Sequence, residues 1–173
     1  MSEAAEVSRI VRELEDAWRE IQAVHPKVPD VAIYIASGEG KKYGHFGPGD
    51  RWLARGADGA GLPEVLIARE GLHRGGEGTF GTLLHEAVHA LNAALKVKDH
   101  SRGGRYHNAK FKDRAESLGL DVHRMEPYGW ARTTFRPETI QAFETSIAKL
   151  DGAIRVYMRA FSGVFGQGKP EAL

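Results

Sequence analysis

The residues best equipped for chemistry stand in "TLLHEAVHAL", Thr82 to Leu91, where His85 and His89 lie four apart with Glu86 directly after the first. Residues four apart on an α-helix sit one turn above each other on the same face, so the two imidazoles project toward a common point. Two neutral ring nitrogens suit a zinc ion, which takes each at roughly 2 Å and leaves room for a third protein ligand and a water. Glu86 falls on the adjacent face, where its carboxylate can reach that water without being a ligand and take its proton during attack on a carbonyl. The competing reading is a core helix with two surface histidines and a solvated glutamate.

A third ligand has to come from downstream, where the chain can fold back. The metzincin arrangement places a glycine three residues and a histidine six residues after His89, and those positions hold Asn92 and Leu95. A glutamate ligand would have to be Glu116, whose surroundings lack the polar pattern such a site needs. His100, His107 and His123 remain. His107 is the best placed: it opens a helix whose Phe111, Ala115 and Leu118 form an apolar stripe able to dock beside the helix that carries His85. His100, in a glycine-rich loop, and His123, just past the helix, read as surface histidines.

These residues have to be positioned by the elements around them. Val7, Ile10, Val11, Leu14, Trp18 and Ile21 trace one stripe of an amphipathic helix from about residue 3 to 24, which Pro26 and Pro29 end. Residues 31–36 read as a buried strand, the glycine-rich SGEGKKYGHFGPGD as a turn or wide hairpin, and 51–55 and 64–68 as short strands of a small sheet. The histidine helix is expected over 79–97 with Thr79 as N-cap, and a shorter one over 108–118 that Gly119 ends in the left-handed conformation. An irregular stretch containing Trp130 follows, and Pro137 opens a last helix reaching about residue 161. There Ile140, Phe143, Ile147, Leu150, Ile154, Tyr157 and Phe161 are spaced three and four apart, which allows a homodimer seam. Packing on the domain's own body or its first helix is the favoured expectation, because Gly152 interrupts the run. Residues 162–173 read as a disordered tail.

A chain of 173 residues supports one domain, here 1–161 with its core over about 31–120. With 24 Lys and Arg against 23 Asp and Glu it lacks the basic excess of a dedicated nucleic-acid binder. Its one local basic cluster, Lys96, Lys98, Arg102 and Arg105 against Asp99, can make a weak phosphate contact, although such a run is more often a solvated loop. No cysteine is present, so a metal must be held by nitrogen and oxygen. No segment has the length of a membrane span and the charged N-terminus is unlike a signal peptide, so no membrane contact and a cytoplasmic location are expected.

With "LLHEAVHAL" followed by "YHNAKFKDRAESLGL", the chain resembles the SprT-like zinc metalloprotease family, whose HExxH helix is followed by a His-Gly-x-x-Phe motif and a Leu-Gly ending. The resemblance covers about residues 31 to 120, and "EVLIAREGL" also looks like the family's approach to its active-site helix. It implies zinc as cofactor held by His85, His89 and His107, with Glu86 as catalytic base and a protein or peptide as substrate. It also implies an α+β, zincin-like fold with a small sheet against the HExxH helix. Asn108 stands where the family often has glycine, and the cysteine-based zinc ribbon of many members is absent, which weakens the family's DNA-directed theme for this chain. Tyr106 and Tyr128 are candidates to donate to the oxyanion, against a structural role for each. The alternative function is a zinc-binding but non-proteolytic interaction module that uses the last helix.

Overall fold

Helix α2 (Gly75–Ala94) runs through the middle of the molecule, and its Phe80, Leu83, Leu84, Ala87, Val88 and Leu91 are buried on several sides at once. The computed structural model describes residues 3–38, 42–52 and 61–162, and among these it has five α-helices and two small sheets in a mixed α+β arrangement. Helix α1 (Glu3–Val24) forms as its stripe predicts, burying Ile10, Leu14, Trp18 and Ile21, and the Trp18 indole donates to the Pro29 carbonyl at 3.0 Å beyond the turn that ends it.

The first sheet has the order β1-β3-β2, from strands β1 (Ala32–Ala36), β2 (Gly44–Trp52) and β3 (Leu62–Ala68). β1 pairs parallel and β2 antiparallel with β3, so β2 is an edge strand lying along α2. The expected turn across this region is therefore a strand for much of its length. Its glycines and Pro48 hide the pattern, and glycine is required where the strand runs closest to the helix: a Cβ on Gly44 would lie 2.5 Å from Thr82 Cγ2 and 2.8 Å from a Glu86 carboxylate oxygen. Residues 53–55 of the expected second strand lie outside the described residues.

The second sheet, of order β4-β5-β7-β6, occupies what the sequence presents as loops. β4 (His100–Ser101) and β5 (Tyr106–His107) form a small hairpin, while β6 (Leu120–Met125) and β7 (Gly129–Phe135) form a longer one that includes Trp130. Between them α3 (Ala109–Ser117) is capped by Asn108, whose side-chain oxygen accepts from the Lys110 and Phe111 amides at 2.9 and 3.3 Å. Gly119 ends it at φ 87°, as expected.

The last helical segment is two helices, α4 (Pro137–Ala142) and α5 (Glu144–Ser162), broken at Phe143. Gly152 does not interrupt α5, and Phe143, Leu150 and Ile154 are buried where that helix meets α1 and α2. The three-and-four stripe is thus used on the domain's own body as far as its side chains are described, and 163–173 lie outside the described residues. α5 also sets the start of α2, four residues before the expected Thr79: Asp151 accepts from the Gly76 amide at 3.0 Å, a cap supplied by another helix. Among the described residues no helix is long and apolar enough to cross a membrane.

Candidate metal centre

Three elements meet to form the histidine cluster. α2 presents His85 and His89 one turn apart, β5 presents His107, and α3 lays Phe111 beneath all three rings, with centroid separations of 4.8, 4.7 and 4.5 Å to His85, His89 and His107. One ring nitrogen from each histidine lies within 4.8 Å of the others. His107 is held in place by pairing of β5 with β7: its amide donates to the Tyr128 carbonyl at 2.9 Å, and its register partner is Gly129. Only glycine suits that position, because φ is 75° and a Cβ would lie 2.3 Å from the His107 carbonyl oxygen.

The far nitrogen of each ring is occupied. His89 Nδ1–H donates to Asp99 Oδ2 at 2.7 Å, His107 Nδ1–H to the Tyr128 carbonyl at 3.4 Å, and His85 Nδ1 meets the Thr133 hydroxyl at 3.3 Å. The Nε2 atoms of His89 and His107 face each other at 3.2 Å, a separation that a shared proton bridges in the metal-free chain and that two imidazoles on one ion also adopt. This donor set, neutral imidazoles fixed from behind by a carboxylate, a carbonyl and a hydroxyl, fits zinc.

Electrostatics keep the rings ready. Burial lowers the pKa of His85 far below its ordinary value, reinforced by His89 and His107. His107 is lowered to about 4, by burial first and then by His89 and His100. Burial lowers His89 as well, against the opposing pull of Asp99. Each is neutral at pH 7 and free to bind a metal without first losing a proton. Asp99 itself stays ionised: burial opposes its charge, but hydrogen bonds from His100, His89 and Asn92 outweigh that and hold its pKa below the usual carboxylate range.

Glu86 is 5% exposed and borders a cleft of about 610 Å³ that also reaches His85 and His107. Burial raises its pKa to about 8, against a backbone hydrogen bond from Phe46 and the nearby positive charge of Lys42. In the metal-free chain this carboxyl is therefore mostly protonated at pH 7, and it faces the cleft.

The structure brings together His85, Glu86, His89 and His107, and it corrects the reading of His100. That ring is stacked on His89 at 4.5 Å and 21°, and it donates to Asp99 Oδ1 at 2.9 Å. The β4–β5 hairpin turns it inward, whereas the sequence shows a glycine-rich loop. His123 is exposed on β6, as expected, and Glu116 pairs with Lys112 at 3.4 Å on α3. Tyr128 is exposed at the β6–β7 turn and serves through its carbonyl, while Tyr106 lies under the Arg102 guanidinium at 4.6 Å; neither lines the cleft. Sequence reasoning missed a buried polar chain, in which Arg114 Nε donates to Asn92 Oδ1 at 3.1 Å and Asn92 Nδ2 to Asp99 Oδ2 at 3.1 Å. Nothing in the local sequence marks it, because its members are 22 positions apart at the extremes and meet only when α3 docks on α2.

Comparison with protein families, characterised proteins and solved structures finds no match for this chain.

Proposed function

We propose that the chain is a zinc-dependent peptidase of SprT-like type with a zincin-like fold. The observation that carries this is the set of three converging neutral imidazoles with the buried Glu86 carboxyl beside them at the wall of an open cleft. Zinc on His85, His89 and His107 supplies an electrophilic centre and acidifies water. Asp99, Tyr128 and Thr133 hold the three rings in orientation from behind. Glu86 takes a proton on its carboxylate as water oxygen adds to the substrate carbonyl carbon, and returns it to the amide nitrogen as the C–N bond breaks. A bound zinc's positive charge would favour the Glu86 carboxylate that the first step needs, while burial favours the protonated form that the second step uses. The cleft is lined by β7 and the start of α2, and its position beside Glu86 supports an extended polypeptide as the occupant.

The test is cleavage of unfolded casein by zinc-loaded protein. Wild type should cleave, and Glu86→Gln should fall by about 10²-fold or more while retaining its metal. Cleavage that survives Glu86→Gln at the wild-type rate would remove the peptidase reading.

A further inference from the structure

The cleft contains three cations and two acids, Glu77 and Glu86, the second within the field of Lys42. Lys42, Arg74 and Arg132 all line it, and among the described residues none makes an ion pair. Glu77, on the same rim, pairs with none of them.

Arg74 is the one the fold positions. Its guanidinium lies over the Tyr43 ring at 3.9 Å and donates from Nη2 to the Thr82 hydroxyl, which in turn donates to the Gly78 carbonyl at 3.2 Å. Room for the arginine stem depends on glycine, since a Cβ on Gly78 would lie 2.5 Å from Arg74 Cβ. Gly78, Thr82 and Glu86 follow each other at intervals of four along one face of α2, and the side chain of Arg74, the residue just before the helix, climbs that face as far as Thr82. The Thr82 hydroxyl that it holds lies one helical turn, a rise of roughly 5 Å, before Glu86 on the same face. In an extended peptide that distance is about two residues.

We infer that Arg74, with Lys42 and Arg132 adding to the field, is a subsite for a carboxylate on the substrate, one or two residues from the bond attacked. A planar guanidinium stacked on an aromatic ring and steadied by one hydroxyl keeps donors free for a bidentate pair with a carboxylate. Partial withdrawal from water, which pulls its pKa below the ordinary value, strengthens such a pair. The inference rests on the peptidase reading for what happens next to the carboxylate, but the binding it describes is independent of hydrolysis.

The test is therefore binding, on the intact chain carrying Glu86→Gln so that nothing is consumed. Two rhodamine-labelled decapeptides, alternating Ala-Glu and alternating Ala-Gln, make register immaterial, and anisotropy gives the Kd of each. The acidic peptide should bind about tenfold or more tightly than the amide peptide. The ratio should fall to about two in Arg74→Gln and stay unchanged in Lys149→Gln, which removes an equal charge from a residue outside the cleft lining. Arg74→Lys keeps the charge and most of the stem's contacts but not the fork, and should lose most of the ratio, which separates recognition from a failure to fold. Equal binding of the two peptides, no binding of either, or a ratio that survives Arg74→Gln would overturn the subsite. So would an Arg74-dependent affinity for a decathymidylate that exceeds that for the acidic peptide, since the anion would then be a phosphate. Casein cleavage without any peptide preference would leave the peptidase reading standing and the subsite refuted.

Discussion

Asp99 Oδ2 lies 2.7 Å from the Nδ1 of His89, and the same oxygen receives Asn92 at 3.1 Å, so the carboxylate that orients one candidate ligand is itself fixed by a buried amide. Its other oxygen accepts from His100. A carboxylate behind a metal-binding imidazole sets its tautomer and raises its basicity, and losing it commonly costs 10- to 100-fold in metal affinity. Asp99→Asn should therefore weaken zinc binding by roughly that factor in a competitive chelator titration, while Asp121→Asn on exposed β6 leaves it unchanged. Equal affinities in the two variants would mean that His89 needs no support.

Gly129 makes a backbone prediction. Alanine there must adopt φ near 75° and bring its Cβ against the His107 carbonyl. Gly129→Ala should destabilise the fold by about 1–3 kcal/mol in urea unfolding and also weaken zinc binding, because the strain falls on the strand that carries His107.

Asp151 separates stability from the site. Removing the cap it gives α2 in Asp151→Ala should cost about 1 kcal/mol, seen as a lower Tm, with zinc stoichiometry kept. Loss of zinc in this variant would show that the start of α2 is coupled to His85 more tightly than its distance along the helix implies.

Glu86 makes a pH prediction for the metal-free chain. Its pKa rises from 4.5 to about 8 on folding, so the folded state holds the proton more tightly than the unfolded one. The stabilisation this gives is complete below about pH 4.5 and is lost as pH climbs toward 8. Glutamine carries no such penalty. Metal-free Glu86→Gln should nearly match wild type in urea at pH 4.5 and exceed it at pH 8, by on the order of 4 kcal/mol. Equal stability at both values would mean that the carboxyl is solvated.

The regular elements were legible where one periodicity governed a long segment, as in α1, whose Ile10, Leu14 and Ile21 all end in the core. Legibility failed where structure depends on partners far along the chain. The start of α2 is set by Asp151, 75 positions away from the amide it caps. β2 is masked by its glycines, of which Gly44 serves close approach to Glu86 and Gly47 to Glu64, and β6 and β7 are half-exposed strands whose polar faces read as irregular chain. In the site, the spacing of His85 and His89 and the place of His107 ahead of an apolar stripe could be read directly, because helix geometry alone brings the first two together. Asp99 and His100 could not, since they look like part of a basic loop until the β4–β5 hairpin folds them against His89.

The central claim is a zinc site made by His85, His89 and His107, and the most direct test is metal content by elemental mass spectrometry on protein purified without chelator. Wild type, His123→Ala and His107→Ala would be compared. The account predicts about one zinc per chain in the first two and its loss in the third. Zinc absent from wild type and not taken up on titration, or retained undiminished in His107→Ala, would contradict it.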